Sequence, residues 1–249
     1  MKVLEKAGRV LDQLAQKHDL TVRELAVLLE EPRPTVHRIV HDLAALGYVE
    51  GGLKRGTYRL GLELFRLGSL AAARIDVREA AATSMQDIHR ELEETVYLCI
   101  RREHEAVCID RIEGLRVRSM FLQLGGSLPL HLGAGPRALL AYLPRAYWDE
   151  YVKAVELTPL TPSSPATKAQ LVQLLEETRH DGYAVSDEDV TLGIASVGAP
   201  IFDGAGRVVA AVSVGGLVAL ILGEQRRDRV VEIVTGGARQ ISEAMGYRP

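Results

Sequence analysis

Apolar and polar positions in the first part of the chain follow the spacing of three short amphipathic helices. Apolar residues recur three and four positions apart over residues 2–18, 22–29 and 34–46, so each segment is predicted to be a helix with one buried face. Thr21 lies three residues before Glu24, which is the spacing of a capping box at the start of the second helix. The chain is therefore predicted to begin with a small helical cluster.

Two short β-type runs follow the third helix. Residues 48–50 and 57–60 flank a glycine-rich loop that carries Lys54 and Arg55, and this order predicts a β-hairpin with a basic tip. Three helices followed by such a hairpin predict a winged helix-turn-helix domain over residues 1–60.

A further helix is predicted over residues 61–76, where it connects the winged domain to the rest of the chain. Its apolar residues form a narrow seam at Leu60, Leu64, Leu67 and Ala71. Such a seam packs either on a partner helix, which would make this a dimerisation helix, or on its own domain. The spacing leaves both interpretations open.

Residues 77–249 mix helical and strand-like patterns, which predicts a second domain and an α+β fold class. Helices are predicted over 77–93, 136–143, a stretch that begins near 146, 167–180 and 224–245. Strand-like runs lie at 95–101, 106–112, 194–202 and 207–214, with a further candidate at 116–122.

The third helix has two opposite faces at about 100° per residue. One face is apolar and anchors the helix, while the other is basic and rich in hydrogen-bonding groups. A helix in this position of a winged domain lies in the major groove, where the planar guanidinium of Arg38 can bind guanine. The basic hairpin, which we call the wing, can contact phosphates. The predicted DNA-binding residues are Arg33, Pro34, Thr35, His37, Arg38, His41, Lys54 and Arg55.

His37 and His41 are also four residues apart, as in metal-binding helices. The residues between them lack the glutamate of a HExxH protease, and the positive charge of Arg38 opposes a bound cation. No metal site and no cofactor are therefore predicted.

Composition and charge agree with two globular domains of unequal character. The 249 residues are 47% hydrophobic and 25% charged, which excludes a chain that is mainly disordered. The net charge is −3, but residues 1–67 hold 11 basic and 9 acidic side chains, so the acidic excess lies in the remainder. This asymmetry is typical of a small nucleic-acid-binding module joined to an acidic domain.

The two cysteines, Cys99 and Cys108, match no zinc or disulfide spacing, so reduced thiols are expected. Charged residues interrupt the N-terminus, where a signal peptide would need an apolar core. The longest uncharged run, 208–223, is short for a membrane span and contains glycines. A cytoplasmic protein is expected.

The last two predicted strands carry small residues and hydroxyls on one face. A two-residue loop at Gly204 and Ala205 would place Ser196 directly opposite Ser213. Period-two alternation then puts Ser196, Gly198, Pro200, Ala211, Ser213 and Gly215 on one face and Val197, Ala199, Ile201, Val208, Ala210, Val212 and Val214 on the other. The small face predicts either a ligand cavity or a helix packed closely onto it.

Several segments in this order resemble the IclR-type bacterial transcription factors over nearly the whole chain. The resemblance lies in residues 33–49, RPTVHRIVHDLAALGYV, and 56–67, GTYRLGLELFRL. It continues in 129–131 with 137–141, 182–184 with 187–188, and 199–203 with 210–214. The family implies a winged helix-turn-helix, a connecting helix and a GAF-like domain that binds a small organic effector. It also implies homodimers or dimers of dimers acting on palindromic operators as repressors or activators.

The resemblance also implies an effector pocket built from backbone amides before the central helix, an acidic residue and small polar residues on the last two strands. The matching positions are Gly133, Ala134, Ser186, Asp187, Ser196, Ser213 and Gly215. Gly215 and Pro136 stand where relatives often have a serine and a glycine, and Ser186 replaces the first residue of an acidic pair. This pocket has fewer hydroxyls, so an effector larger than a two- or three-carbon oxo-acid, such as an aromatic acid, is expected.

Three classes of function differ in how much of this pattern they explain. An effector-controlled DNA-binding regulator explains both the basic helix and the small-residue face. An enzyme would need a nucleophile and base from His131, Asp187, the serines or the cysteines, yet no GxSxG, P-loop, GxGxxG or HExxH motif is present. A protein–protein adaptor leaves the basic wing unexplained. The sequence favours the regulator.

Overall fold

Separate hydrophobic cores divide the chain into two compact units, Met1–Arg74 and Ile75–Pro249. The computed structural model describes residues 3–17, 19–72, 76–117 and 122–248. The division falls within the predicted connecting segment 61–76. Of that segment, residues 73–75 and the side chain of Ala71 lie outside the described part.

The N-terminal unit contains four helices and a three-stranded antiparallel sheet. Its elements are α1 (Val3–Gln16), β1 (Leu20–Thr21), α2 (Val22–Leu29), α3 (Arg33–Ala45), β2 (Val49–Gly51), β3 (Thr57–Leu60) and α4 (Leu62–Ala72). The sheet order is β1-β3-β2, with Val49 opposite Leu60. This order confirms the predicted three helices and hairpin. β1 was not predicted, because a two-residue strand shows no periodicity.

The predicted capping box is present at the start of α2. The Glu24 amide donates to Thr21 Oγ1 at 3.2 Å, and the Thr21 amide donates to a Glu24 carboxylate oxygen at 2.8 Å. These two bonds satisfy amides that the first turn of a helix leaves free. The helix therefore begins at the residue that the sequence indicates.

The C-terminal unit is a six-stranded antiparallel sheet between two helical layers. Its helices are α5 (Asp76–Leu92), α6 (Ala134–Tyr142), α7 (Arg145–Ala154), α8 (Lys168–Asp181), α9 (Val218–Ile221) and α10 (Arg227–Ala244). Its strands are β4 (Thr95–Arg102), β5 (Glu105–Ile112), β6 (Ser127–Pro129), β7 (Ala184–Asp187), β8 (Ile194–Phe202) and β9 (Val208–Leu217). The order β6-β5-β4-β9-β8-β7 places the long hairpin β8–β9 near the centre. The α+β class is confirmed.

Each face of this sheet has its own core. α5 and α10 cover the face of Val197, Val212 and Val214, and α6, α7 and α8 cover the other. β6, β7 and α9 were not predicted. Of the candidate strand 116–122, residues 116, 117 and 122 are not in a strand, and 118–121 lie outside the described residues.

The β8–β9 register differs from the predicted one by two residues. Ser196 lies opposite Gly215, and Gly198 lies opposite Ser213. The loop has three residues, because the Asp203 amide bonds to the Arg207 carbonyl at 2.9 Å, and an irregularity at Ile201/Phe202 adds the second step.

An even displacement keeps every serine on its predicted face, because side chains alternate with a period of two. Val208 is the exception, because it lies between the irregularity and the loop. Its side chain packs on the α6 face of the sheet instead of the predicted face, which holds Val212 and Val214.

Within the described ranges, no helix is long and apolar enough to span a membrane.

Candidate nucleic-acid interface and ligand cavity

The two faces of α3 are as different in the structure as in the sequence. Val36 is fully buried and Ile39, Val40 and Leu43 are at most 7% exposed, and all four pack against α1 and α2. The opposite side is open. Within the N-terminal unit, Arg33, Pro34, His37, Arg38 and His41 are exposed and Thr35 is half-buried.

The basic side chains of this face and of the hairpin loop between β2 and β3 are not paired within the described part of the protein. Across the described residues, Arg33, His37, Arg38, Lys54 and Arg55 form no side-chain ion pair or hydrogen bond. His41 approaches Asp42 at 3.7 Å, but both side chains are largely exposed, so the contact is weak. The surface can therefore offer its charges to an external anion.

The wing is attached to the helical cluster at its tip. The Leu53 amide donates to Asp19 Oδ1 at 3.0 Å, and Thr57 Oγ1 donates to the Lys54 carbonyl at 2.7 Å. Gly52 permits this approach, since a Cβ there would lie 2.0 Å from Asp19 Oδ1. These contacts fix the loop that presents Lys54 and Arg55, both exposed.

A cavity of about 70 Å³ lies in the C-terminal unit beside the small face of β8 and β9. We call it the serine cavity. Six of the seven predicted effector-binding residues line it, and apolar side chains from neighbouring elements complete its wall. The six are Gly133, Ala134, Ser186, Ser196, Ser213 and Gly215, and the apolar wall includes Tyr97, Leu122, Leu128, Val190 and Ile194.

Both interpretations of the small face hold, at different positions along the hairpin. At Gly198, α6 packs directly on the strand, because an added Cβ would lie 2.7 Å from the carbonyl carbon of Ala134. Two residues away, at Ser196 and its partner Gly215, the cavity opens. The close contact therefore positions the start of α6 over the cavity.

The amides at the start of α6 make only long hydrogen bonds. The Ala134 amide donates to Ser196 Oγ at 3.3 Å, and the Gly133 amide donates to Asp189 Oδ2 at 3.4 Å. Both distances exceed the usual 2.7–3.2 Å range for such bonds. A carboxylate entering the cavity can replace these contacts with shorter ones, and the partial positive charge of a helix N-terminus favours an anion.

Asp187 is not at the cavity, so its predicted place there is wrong. Side chains alternate along β7, which directs Ser186 inward and leaves Asp187 exposed. The buried carboxylate at this position in space belongs to Asp189, two residues later. Ser186 Oγ donates to Asp189 Oδ1, so this hydroxyl already has a partner.

Asp189 is held by Arg137, a buried arginine of α6. The Arg137 guanidinium donates to Asp189 Oδ2 and to the Val185 carbonyl. Neither residue was among the predicted site residues. A lone arginine within the apolar helix Ala134–Tyr142 was the available signal, because a buried charge requires a partner.

His131 precedes this helix but does not line the serine cavity. Its Nδ1 lies 2.8 Å from the Tyr151 hydroxyl, and burial, assisted by the charge of Arg137, lowers the pKa of His131 to about 4. A neutral, internally bonded imidazole away from the cavity serines does not form a nucleophile–base pair with them. In the described part of the chain, no group of three or more His, Cys, Asp or Glu residues is placed to hold a metal ion.

Two family models match the chain. The IclR helix-turn-helix domain matches residues 3–51, and the C-terminal region of the bacterial transcriptional regulator IclR matches residues 69–243. The HTH-type transcriptional regulator KipR of Bacillus subtilis (strain 168) is 33% identical over 246 residues, covering 99% of this chain and 98% of KipR.

Solved structures agree over the same length. The IclR of Thermotoga maritima superposes with a TM-score of 0.80 at 32% identity and covers 98% of each chain. An IclR homolog from Microbacterium hydrocarbonoxydans, complexed with 4-hydroxybenzoate, superposes with a TM-score of 0.86 at 22% identity, covering 98% of this chain and 99% of that one. The chain belongs to the IclR family of bacterial transcriptional regulators, and it is a DNA-binding regulator rather than an enzyme.

Proposed function

We propose that the exposed face of α3 reads the base edges of an operator in the major groove. The observation that carries this proposal is the opposition of the two α3 faces, with a buried apolar stripe on one and unpaired cations on the other. Arg38 can form two hydrogen bonds with guanine, and Thr35, His37 and His41 lie where they reach neighbouring bases or phosphates. Pro34 is exposed in the first turn of α3, beside these groups.

Arg33 and the wing residues Lys54 and Arg55 contact phosphates in this proposal. Such contacts set the position of the protein on DNA without reading sequence. They also make affinity strongly dependent on salt, because each neutralised phosphate releases counterions.

The serine cavity binds a small organic acid that controls operator affinity. Its carboxylate accepts hydrogen bonds from the Gly133 and Ala134 amides, while Ser196 and Ser213 orient it. The apolar wall suits an aromatic or branched acid, and a family member of the same fold is complexed with 4-hydroxybenzoate. Asp189 keeps Ser186 and Arg137 occupied, so neither of these two side chains is free to bind the ligand.

The regulator acts as a homodimer or a dimer of dimers on a palindromic operator. Support comes from α4, where Leu62 is 74% exposed, Phe65 72% and Leu70 56%. A helix this apolar is unusual on the surface of a monomer. Two copies related by a twofold axis would present two reading helices to two half-sites. The two α3 helices of the dimer can adopt different arrangements. The effector alters DNA affinity because it binds the dimer more tightly in one arrangement than in another.

Fluorescence anisotropy with DNA from upstream of the protein's own gene tests the regulator. We expect salt-dependent binding that discriminates this DNA from a shuffled sequence, and a change in affinity when an aromatic acid such as 4-hydroxybenzoate is added. Binding equal on both sequences at every salt concentration would contradict the operator proposal. The Ser196→Ala variant should bind DNA normally but respond less to the acid.

A further inference from the structure

A second cavity, of about 380 Å³, lies in the C-terminal unit at the far end of β8 from the serine cavity. Among the described residues, the linings of the two cavities have none in common. On β8, Ser196 lines the serine cavity, whereas Ala199, Pro200 and Phe202, three to six residues further along the strand, line the second one. The end of α6, the segment before β7 and one side of α10 complete the lining. We call it the aromatic cavity and define it by Tyr142, Tyr183, Phe202, Arg239 and Tyr247.

Three rings form one wall of the aromatic cavity. The Phe202 ring lies 5.1 Å from Tyr142, nearly perpendicular at 77°, and 5.1 Å from Tyr247 at 32°. All three side chains are half-buried, so part of each ring remains open. The Phe202 amide donates to Ser242 Oγ at 3.0 Å, and that hydroxyl donates to the Ala238 carbonyl at 2.7 Å. The rings therefore form a fixed platform of the kind on which planar ligands stack.

The hydroxyls of α10 that line this cavity are already used within the helix. Ser242 has the two bonds above, and Thr235 Oγ1 donates to the Val231 carbonyl at 2.7 Å. The phenols are different. Considering the described residues only, the hydroxyls of Tyr142, Tyr183 and Tyr247 have no hydrogen-bond partner within the protein. They remain available as donors to a ligand.

The guanidinium of Arg239, unpaired among the described residues, lines the aromatic cavity. Arg239 is exposed on α10 and forms no ion pair within the part of the chain that the structure describes, although Glu243 follows one turn later. Among the described lining residues Asp181 is the one carboxylate, and its Oδ1 lies 2.8 Å from Nδ1 of His180. An unpaired guanidinium is best matched by a carboxylate, which it binds with two parallel hydrogen bonds.

We propose that the aromatic cavity is a second binding site, separate from the serine cavity, for a planar aromatic carboxylate. The ring of the ligand stacks on Phe202 and Tyr247, its carboxylate pairs with Arg239, and the free phenols donate to its remaining oxygens. An empty packing defect would be apolar and dry. This cavity instead combines stacking surfaces, unused donors and an unpaired cation.

Crystals of the full chain soaked in 4-bromobenzoate locate the site directly, because bromine gives an anomalous signal. The proposal expects a peak beside Phe202 and Tyr247. A peak confined to the serine cavity would support the effector proposal and overturn this one, and no peak beside the rings would also overturn it.

Isothermal titration of the full chain with 4-bromobenzoate measures the site in solution. The Arg239→Gln variant should bind at this site about tenfold or more weakly, since it loses a charge-assisted pair. Arg227→Gln is the matched control, because Arg227 is also exposed on α10 but does not line the cavity. Ser196→Ala should leave this affinity unchanged. Equal affinity for Arg239→Gln and wild type would refute the proposal.

Discussion

The Arg137 guanidinium and the Asp189 carboxylate form an ion pair beneath the serine cavity, with each side chain only 3% exposed. The pair joins α6 to the loop after β7, which are 52 residues apart in sequence. Because Asp189 also accepts from Ser186 and from the Gly133 amide, it links these two cavity-lining residues to Arg137. Loss of the Asp189 carboxylate should therefore affect both the stability of the protein and ligand binding in the serine cavity.

Asp189→Asn leaves the buried guanidinium of Arg137 without its counter-charge. We expect a loss of about 3–5 kcal/mol in the free energy of unfolding, measured by urea denaturation, because breaking one side of a buried pair exposes the full desolvation cost. Asp187, two residues earlier, is exposed and provides the control. Asp187→Asn should change the free energy of unfolding by less than about 0.5 kcal/mol. Similar values for the two variants would show that the pair is not buried as described.

Gly198→Ala tests the close packing of α6 on β8. The new Cβ would lie 2.7 Å from the Ala134 carbonyl carbon, so the helix must move, at a cost of about 1–3 kcal/mol. Gly236→Ala is the matched control on α10, where an added Cβ has nothing within 4 Å. This control should stabilise the protein by about 0.5–1 kcal/mol, because alanine favours the helix. Opposite signs in thermal denaturation are the expected result.

Arg38→Ala and Arg55→Ala should weaken DNA binding in different ways. Loss of Arg38 should remove about 1–3 kcal/mol of discrimination between operator and shuffled DNA. Loss of Arg55 should weaken binding to both and reduce the slope of log affinity against log salt by about one. Anisotropy titrations at several salt concentrations measure both quantities. An equal loss on both sequences for Arg38→Ala would exclude a base contact.

The free energy of unfolding should decrease as the pH is lowered, because His131 takes up a proton in the unfolded chain first. Burial lowers its pKa from 6.5 to about 4, so between these values the unfolded chain takes up a proton that the folded chain refuses. The stabilisation is fully present above pH 6.5, and up to about 3 kcal/mol is lost as the pH falls towards 4.

Urea denaturation at pH 7 and pH 4.5 measures this loss. His131→Gln should lose less stability between the two pH values than the wild type does. The exposed His180 supplies the control, since His180→Gln should lose as much as the wild type. Identical pH dependence in all three proteins would contradict the buried, neutral state of His131.

The exposed basic face of α3 was predictable because its signal is local. Helical periodicity alone separates the buried Val36 and Ile39 from the exposed His37 and Arg38, and the fold only has to bury the apolar stripe. The capping box of Thr21 and Glu24 was predictable for the same reason. The serine face survived a wrong register, since a displacement of two residues preserves the alternation along a strand.

The remaining features depend on contacts between residues that are far apart in the sequence. Such contacts form only in the folded structure. No spacing rule pairs Arg137 with Asp189, or brings Arg239 of α10 beside Phe202 of β8. The family resemblance placed Asp187 at the effector pocket, whereas strand alternation leaves Asp187 exposed and the following loop buries Asp189 beside Ser186. Periodicity states which side of an element is apolar, but the partner of that side, and the space left between them, follow from how the elements pack.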